Sequence, residues 1–162
     1  MRDINKIIIH CTATPASMDL TPETLKGWHV WPKRLLAGGF RYQGKTWKKS
    51  ELPDDVKDKR GRGWSDCGYH YYIDRQAVLH TMRPAEKIGA HCKGHNRDSI
   101  GIAMAGGVEN GKPVFNFTRL QILTLDNLAK HWSELYNASI HGHNEFSSKA
   151  CPSFDVKEWF YG

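Results

Sequence analysis

The sequence lacks the features of a membrane or secreted protein. None of its apolar runs is long enough to cross a bilayer, and the N-terminal segment MRDINKIIIHC has only a short apolar core with no small-residue cleavage site. We therefore expect a protein without a membrane helix or signal peptide, made in the cytoplasm. Cysteines are few as well. Cytoplasmic synthesis favours four reduced thiols, and a Cys67–Cys92 bridge would require export by another route.

A balance of positive and negative charge is lacking in one segment only. Residues 33–62 contain ten Lys or Arg and four Asp or Glu, a charge of +6, whereas the rest of the chain contains thirteen of each sign. With little periodicity, residues 32–63 are interpreted as a long ordered insertion or lid. The charge predicts an anionic partner, namely nucleic acid, anionic lipid or bacterial wall material. The alternative is a solvated loop that only keeps the protein soluble.

The sequence predicts one α/β domain over residues 1–162. Length and a 40% hydrophobic content suit a single core, and interleaved strand and helix signals predict a mixed central sheet flanked by helices, with the basic insertion between the first helix and the second strand. Strands are predicted at 6–12, 69–73, 77–81, 99–105 and 138–140, and helices at 22–31, 118–136 and 156–161. A stripe on the second helix is predicted to face the core: Leu120, Leu123, Leu128, Trp132 and Leu135.

The stretch HGHNEFSSKACPSFD, residues 141–155, concentrates candidate metal donors. Zinc favours imidazole nitrogen and thiolate sulfur, and a catalytic site uses three protein donors so that water can take the fourth position. A lone cysteine near a histidine is a weak signal, because buried cysteines are often small hydrophobic residues. His10, at the end of the first strand, is a candidate third donor. Its alternative is a histidine satisfied by a backbone carbonyl.

Four motifs carry a family resemblance. IIIHCTAT, GYHYYI, IGAHCKGHNRDSIGIAMAGG and HNEFSSKACPSFD occur in the order and rough spacing of the type 2 N-acetylmuramoyl-L-alanine amidases. The chain resembles the small amidase lysozymes of T-odd coliphages and is more distantly similar to animal peptidoglycan recognition proteins. The resemblance covers nearly the whole chain except residues 32–63.

The resemblance implies site residues at matching positions. It implies one Zn²⁺ ion held by His10, His143 and Cys151, with Tyr69 and Lys149 as catalytic residues. His141 is left out of this ligand set.

The resemblance also places the loop GAHCKGHN beside the peptide-binding cleft. His70, His91 and Asn96 are therefore candidate substrate contacts. For Asn96 the alternative is bonding of the loop backbone. Glu145 is a candidate acceptor for a ligand imidazole, and its alternative is an exposed surface carboxylate.

The activity implied is hydrolysis of the amide between N-acetylmuramic acid and L-alanine in peptidoglycan. We expect a monomeric, endolysin-like enzyme that is made in the host bacterial cytoplasm and reaches the wall through a holin or lysis, without membrane insertion. One alternative is a peptidoglycan-binding module, although such modules usually lack the cysteine ligand. Another is an amidase that also regulates a polymerase. Nucleic acid is disfavoured as a partner, because residues 33–62 contain no recognisable nucleic-acid-binding fold.

Overall fold

The computed structural model describes residues 2–162, which form an α/β fold. The elements are β1 (Lys6–Cys11), α1 (Pro22–Val30), β2 (Lys33–Arg34), β3 (Phe40–Tyr42), β4 (Lys45–Trp47), β5 (Tyr71–Ile73), β6 (Leu79–Thr81), β7 (Ser99–Met104), β8 (Val108–Glu109), β9 (Lys112–Pro113), α2 (Arg119–Tyr136), β10 (Ser139–Gly142) and α3 (Val156–Tyr161). Within residues 2–162, no helix has the length and apolar character needed to span a membrane.

The chain divides into two compact units, and the larger one contains the central sheet. This unit comprises the residues up to Leu20 together with Tyr69–Gly162. Its strand order is β10-β1-β7-β5-β6, in which only the β5–β6 pair is antiparallel. The mixed sheet confirms the predicted fold class.

One face of this sheet forms the core with α2. On β1, Ile7, Ile9 and Cys11 belong to the buried cluster, and the register pairs Ile7 with Ile100 and Ile9 with Ile102 on β7. Side chains alternate along a strand, so the residues between them face the other side of the sheet. His10 is one of these residues, and it therefore lies on the sheet face opposite α2.

The predicted core stripe of α2 is wrong for three of its leucines. Leu120, Leu123 and Leu135 are 55–63% exposed. The buried positions are instead Gln121, Ile122, Leu125 and Ala129. Gln121 can be buried because its amide donates to the Ala105 carbonyl and accepts from the Thr118 N–H. Because the buried face of α2 includes the polar residue Gln121, the apolar pattern of the sequence did not identify that face.

Two leucines of α2 test this assignment as a matched pair. Leu125 is fully buried and Leu123 is exposed. We expect Leu125→Ala to lower the free energy of unfolding by about 2–5 kcal/mol, because it leaves a cavity. Leu123→Ala should change it by about 0.5 kcal/mol or less. Urea denaturation of both variants measures the difference, and equal losses would contradict the assigned core face.

The smaller unit, Thr21–Gly68, contains α1 and a three-stranded antiparallel sheet in the order β2-β3-β4. The Thr21 hydroxyl accepts from the Thr24 N–H and so caps the N-terminus of α1. The three short strands were not predicted from the sequence. The Arg60 guanidinium lies 4.6 Å from the centroid of the Phe40 ring, so part of the basic segment packs on aromatic residues. The predicted insertion boundaries, 32–63, remain a prediction.

Candidate metal centre

Three candidate donors come from the ends of two neighbouring strands and from a loop. His10 is near the end of β1, His143 follows β10 directly, and Cys151 lies in the loop before α3. Since β1 and β10 pair in parallel, both strands deliver their last residues to the same edge of the sheet. One nitrogen or sulfur atom from each of the three residues lies within 4.8 Å of the other two. The structure thus brings the predicted ligand set together.

The donor spacing suits a small tetrahedral ion. His10 Nδ1 lies 3.8 Å from Cys151 Sγ, and the rings of His10 and His143 have centroids 4.5 Å apart. Zinc bonds of about 2.0–2.1 Å to nitrogen and 2.3 Å to sulfur place the nitrogen and sulfur of a tetrahedral site about 3.6 Å apart. The two imidazoles and the thiol are therefore spaced as zinc donors.

Burial keeps the candidate imidazoles neutral. His10 is almost completely buried, and burial, then the neighbouring His91, His143 and Lys149, hold its pKa well below the ordinary value. Burial followed by Lys149 also lowers the pKa of His143. A neutral imidazole keeps the lone pair that a metal ion requires.

The Cys151 sulfur is held against the end of β1. The Cys11 N–H donates to Cys151 Sγ at 3.2 Å. The two thiols also share a hydrogen bond, which lowers the pKa of Cys11 to about 7 against the opposing effect of burial. The same bond, together with burial, raises the pKa of Cys151.

The two predicted catalytic residues lie near the donors. The Tyr69 ring centroid is 5.1 Å from that of His10. Lys149 is close enough for its charge to lower the pKa of both His10 and His143. The site thus has a phenol beside His10 and a cation whose charge reaches both candidate imidazoles.

His91 has a role that the sequence did not reveal. Its Nδ1 lies 2.9 Å from His10 Nε2, and its Nε2 lies 3.2 Å from the Ser99 hydroxyl. The ring occupies space left by Gly101 on β7, where an added Cβ would lie 2.5 Å from His91 Cγ. His91 is only 9% exposed. His91, a predicted substrate contact, thus lies next to the candidate ligand His10. Both of its ring nitrogens contact other groups inside the protein.

The other two predicted substrate contacts bind the protein's own backbone. His70 is fully buried; Nδ1 accepts from the Gly101 N–H, and Nε2 lies 2.8 Å from the Lys87 carbonyl. Asn96 Oδ1 accepts from the N–H groups of His91 and Cys92, which is the loop-bonding alternative considered for it.

Glu145 does not bond a candidate ligand imidazole. Its carboxylate accepts from the Gly142 N–H and pairs with His141 and Lys157. His141 is thereby directed to Glu145, which is consistent with its exclusion from the predicted ligand set.

The fold is that of an amidase-like α/β protein, and sequence comparison gives the family. The chain belongs to the N-acetylmuramoyl-L-alanine amidase family, whose model matches residues 1–154. The endolysin of Escherichia phage T7 is 30% identical over 156 residues, which cover 95% of this chain and 83% of that protein. The endolysin of Klebsiella phage KP32 is 29% identical over 161 residues, 98% of this chain and 87% of the relative.

Solved structures share the fold at lower identity. The amidase LysC from Clostridium intestinale is 23% identical with a TM-score of 0.63, covering 95% of this chain and 79% of LysC. The ectodomain complex of peptidoglycan recognition proteins LCa and LCx, bound to tracheal cytotoxin, matches with a TM-score of 0.66 at 21% identity, covering 99% of this chain and 84% of the matched chain. These structures confirm the predicted fold, and the family match with the phage relatives confirms the predicted resemblance.

Proposed function

We propose that the protein is a zinc-dependent peptidoglycan amidase of the endolysin type, which hydrolyses the amide between N-acetylmuramic acid and L-alanine. The observation that supports this most strongly is the convergence of His10, His143 and Cys151. Three protein donors leave one position of a tetrahedral ion for water or substrate, as catalytic zinc sites require. The family and the phage relatives support the same bond and the same wall polymer.

Zinc would be held by His10, His143 and Cys151. When bound, it supplies the Lewis acidity that polarises a carbonyl and activates water at neutral pH. Two neutral imidazoles and one thiolate leave the site with a net positive charge. Such a site attracts the electron-rich carbonyl of an amide.

Lys149 and Tyr69 supply the remaining chemistry. Cleavage of an amide passes through a tetrahedral species with a negatively charged oxygen, and a fixed positive charge lowers its energy. Lys149, whose charge reaches His10 and His143, would supply this positive charge. The Tyr69 phenol, beside His10, either orients the attacking water or donates to the same oxygen.

The enzyme would act as a monomer, after release to the wall through a holin or lysis.

The proposal is tested on purified sacculi. Protein loaded with one equivalent of zinc should release peptides that begin with L-alanine, and metal removal should abolish release until zinc is restored. Clearing that persists after full metal removal would overturn the zinc mechanism. Zinc binding and sacculus binding without any peptide release would instead indicate a binding module.

The smaller unit supplies a surface for anionic wall material. Lys33 and Arg41 occupy directly opposite positions on β2 and β3, so two positive charges lie on one face of the sheet. Like charges in such positions repel and cost stability in the isolated protein. A negatively charged polymer removes this repulsion. The unit would therefore bind the anionic groups of the wall.

Neutralising this pair tests the surface. We expect Lys33→Gln combined with Arg41→Gln to weaken sacculus binding at low salt and to flatten its salt dependence, because exposed charges are screened by salt. Folding should be unimpaired, since the change relieves repulsion. The matched control neutralises two exposed cations elsewhere, Lys112 and Lys130. Co-sedimentation at several salt concentrations measures binding, and equal responses of the two double variants would favour a merely solubilising segment.

A further inference from the structure

We infer that Ser99 and His91 form a hydrogen-bond relay that fixes the tautomer of His10 and leaves its Nδ1 as the metal-binding atom. Ser99 and His91 are then positioning residues, which act on the metal through His10. The inference rests on the proposed metal site and deepens it. It adds two residues, Ser99 and His91, to the three candidate ligands.

The direction of every hydrogen bond in the relay follows from its far end. The Ser99 hydroxyl lies 2.6 Å from the His95 carbonyl oxygen, which can only accept, so the hydroxyl proton points there. Ser99 Oγ must then accept in its 3.2 Å contact with His91 Nε2. His91 therefore carries its proton on Nε2.

The same reasoning continues to the candidate ligand. A neutral imidazole protonated at Nε2 has a lone pair at Nδ1, so His91 Nδ1 accepts in its 2.9 Å contact with His10 Nε2. His10 is thereby protonated at Nε2 as well. Its unprotonated nitrogen is Nδ1, the atom that lies 3.8 Å from Cys151 Sγ. The relay thus ends with a lone pair directed at the candidate metal site.

The surroundings hold the relay in place. Ser99 is completely buried and His10 almost so, which shields the bonds from competing water. The His91 ring lies over Gly101, where any side chain would collide with it. Asn96 holds the backbone N–H of His91 at 2.8 Å. Buried hydrogen-bond chains of this kind specify one arrangement when every member is satisfied.

Removing the Ser99 hydroxyl should allow His91 and His10 to adopt the other tautomer. In Ser99→Ala, His91 Nε2–H loses its acceptor, so the proton of His91 can move to Nδ1. His91 Nδ1–H then donates to His10 Nε2, and the proton of His10 moves to Nδ1. A metal ion would have to displace that proton, and its affinity falls. Loss of a group that orients a metal-bound histidine costs about 10- to 100-fold in affinity.

Two measurements on the intact 162-residue chain test the relay. Nitrogen-15 NMR of histidine-labelled, metal-free protein should show Nε2–H at His10 in the wild type and a mixture of tautomers in Ser99→Ala. Zinc affinity, measured by competition with a chelator, should fall about 10- to 100-fold in the variant. The matched control is Ser133→Ala, which also removes a 2.6 Å hydroxyl–carbonyl bond, to Ala138, but lies outside the relay. Its tautomers and zinc affinity should match the wild type.

A second pair of variants separates positioning from packing. The amide oxygen of His91→Asn can replace Nδ1 as acceptor for His10 Nε2–H, whereas His91→Leu cannot accept. We expect the asparagine to retain zinc affinity much closer to the wild type than the leucine does. Equal affinities in these two variants, or an unchanged tautomer and affinity in Ser99→Ala, would overturn the relay. A wild-type protein that binds no zinc would instead overturn the proposed function, whatever the tautomer of His10.

Discussion

Replacing Cys151 with serine is expected to abolish both zinc binding and amidase activity. The Cys151 sulfur is one of three donors within 4.8 Å of each other. A serine hydroxyl is a far weaker zinc donor than a thiolate, and two imidazoles alone do not complete a catalytic zinc site. Zinc stoichiometry should fall from one to near zero, and release of L-alanine-headed peptides from sacculi should fall to background.

The matched control for this loss is Cys67→Ser. Cys67 is a buried cysteine that contacts His29, a contact which a hydroxyl can also make. We expect this variant to keep its zinc and its activity, with at most a modest change in stability. Metal content by elemental analysis and thermal unfolding measure both effects. Full zinc stoichiometry in Cys151→Ser would contradict the proposed ligand set.

Replacing Lys149 with alanine should separate catalysis from metal binding. Lys149 is two residues from Cys151, but its ammonium group is not a metal donor at neutral pH. Zinc content should therefore remain at one equivalent. Turnover should fall on the order of a hundred- to a thousandfold, the usual cost of removing one group that stabilises a negatively charged transition state.

Two further lysine variants define the origin of that loss. Lys149→Arg keeps the positive charge and should retain more activity than the alanine variant. Lys157→Ala removes a cation that pairs with Glu145 on the neighbouring surface, and its turnover should be close to the wild type. If zinc content fell in Lys149→Ala as it does in Cys151→Ser, the division into ligand and catalytic residue would be wrong.

Much of the fold was predictable because local signals and tertiary contacts agree. Three successive isoleucines in β1 indicate a strand buried on both faces, and residues 7–11 are indeed all buried. Thr21 followed by Pro22 marks the start of α1. At Asn110-Gly111, both residues have a positive φ in the turn between β8 and β9, a backbone geometry that this dipeptide favours.

The missed elements have weak or misleading local signals. Strands β2, β3 and β4 are two or three residues long, and several of their residues are charged, so no alternation marks them. On α2 the exposed leucines repeat with the same spacing as the buried residues. Local periodicity can locate a helix, but it cannot tell which of two apolar stripes meets the sheet.

The chemical identity of the candidate site was set by the sequence, because donor type belongs to each side chain. Zinc chemistry was predicted from two imidazoles, a thiol, a phenol and an ammonium group, which occur in the order seen in the amidase family. The individual roles of these groups remain predictions. Their geometry was decided by the tertiary structure. The contact between His10 and Cys151 joins residues 141 positions apart, and only the parallel pairing of β1 with β10 and the path of the following loop bring them together. The contact between His91 and His10 likewise depends on tertiary structure, because the His91 ring fits into the space left by Gly101. No local sequence pattern indicates which side chain fills a space on a neighbouring strand.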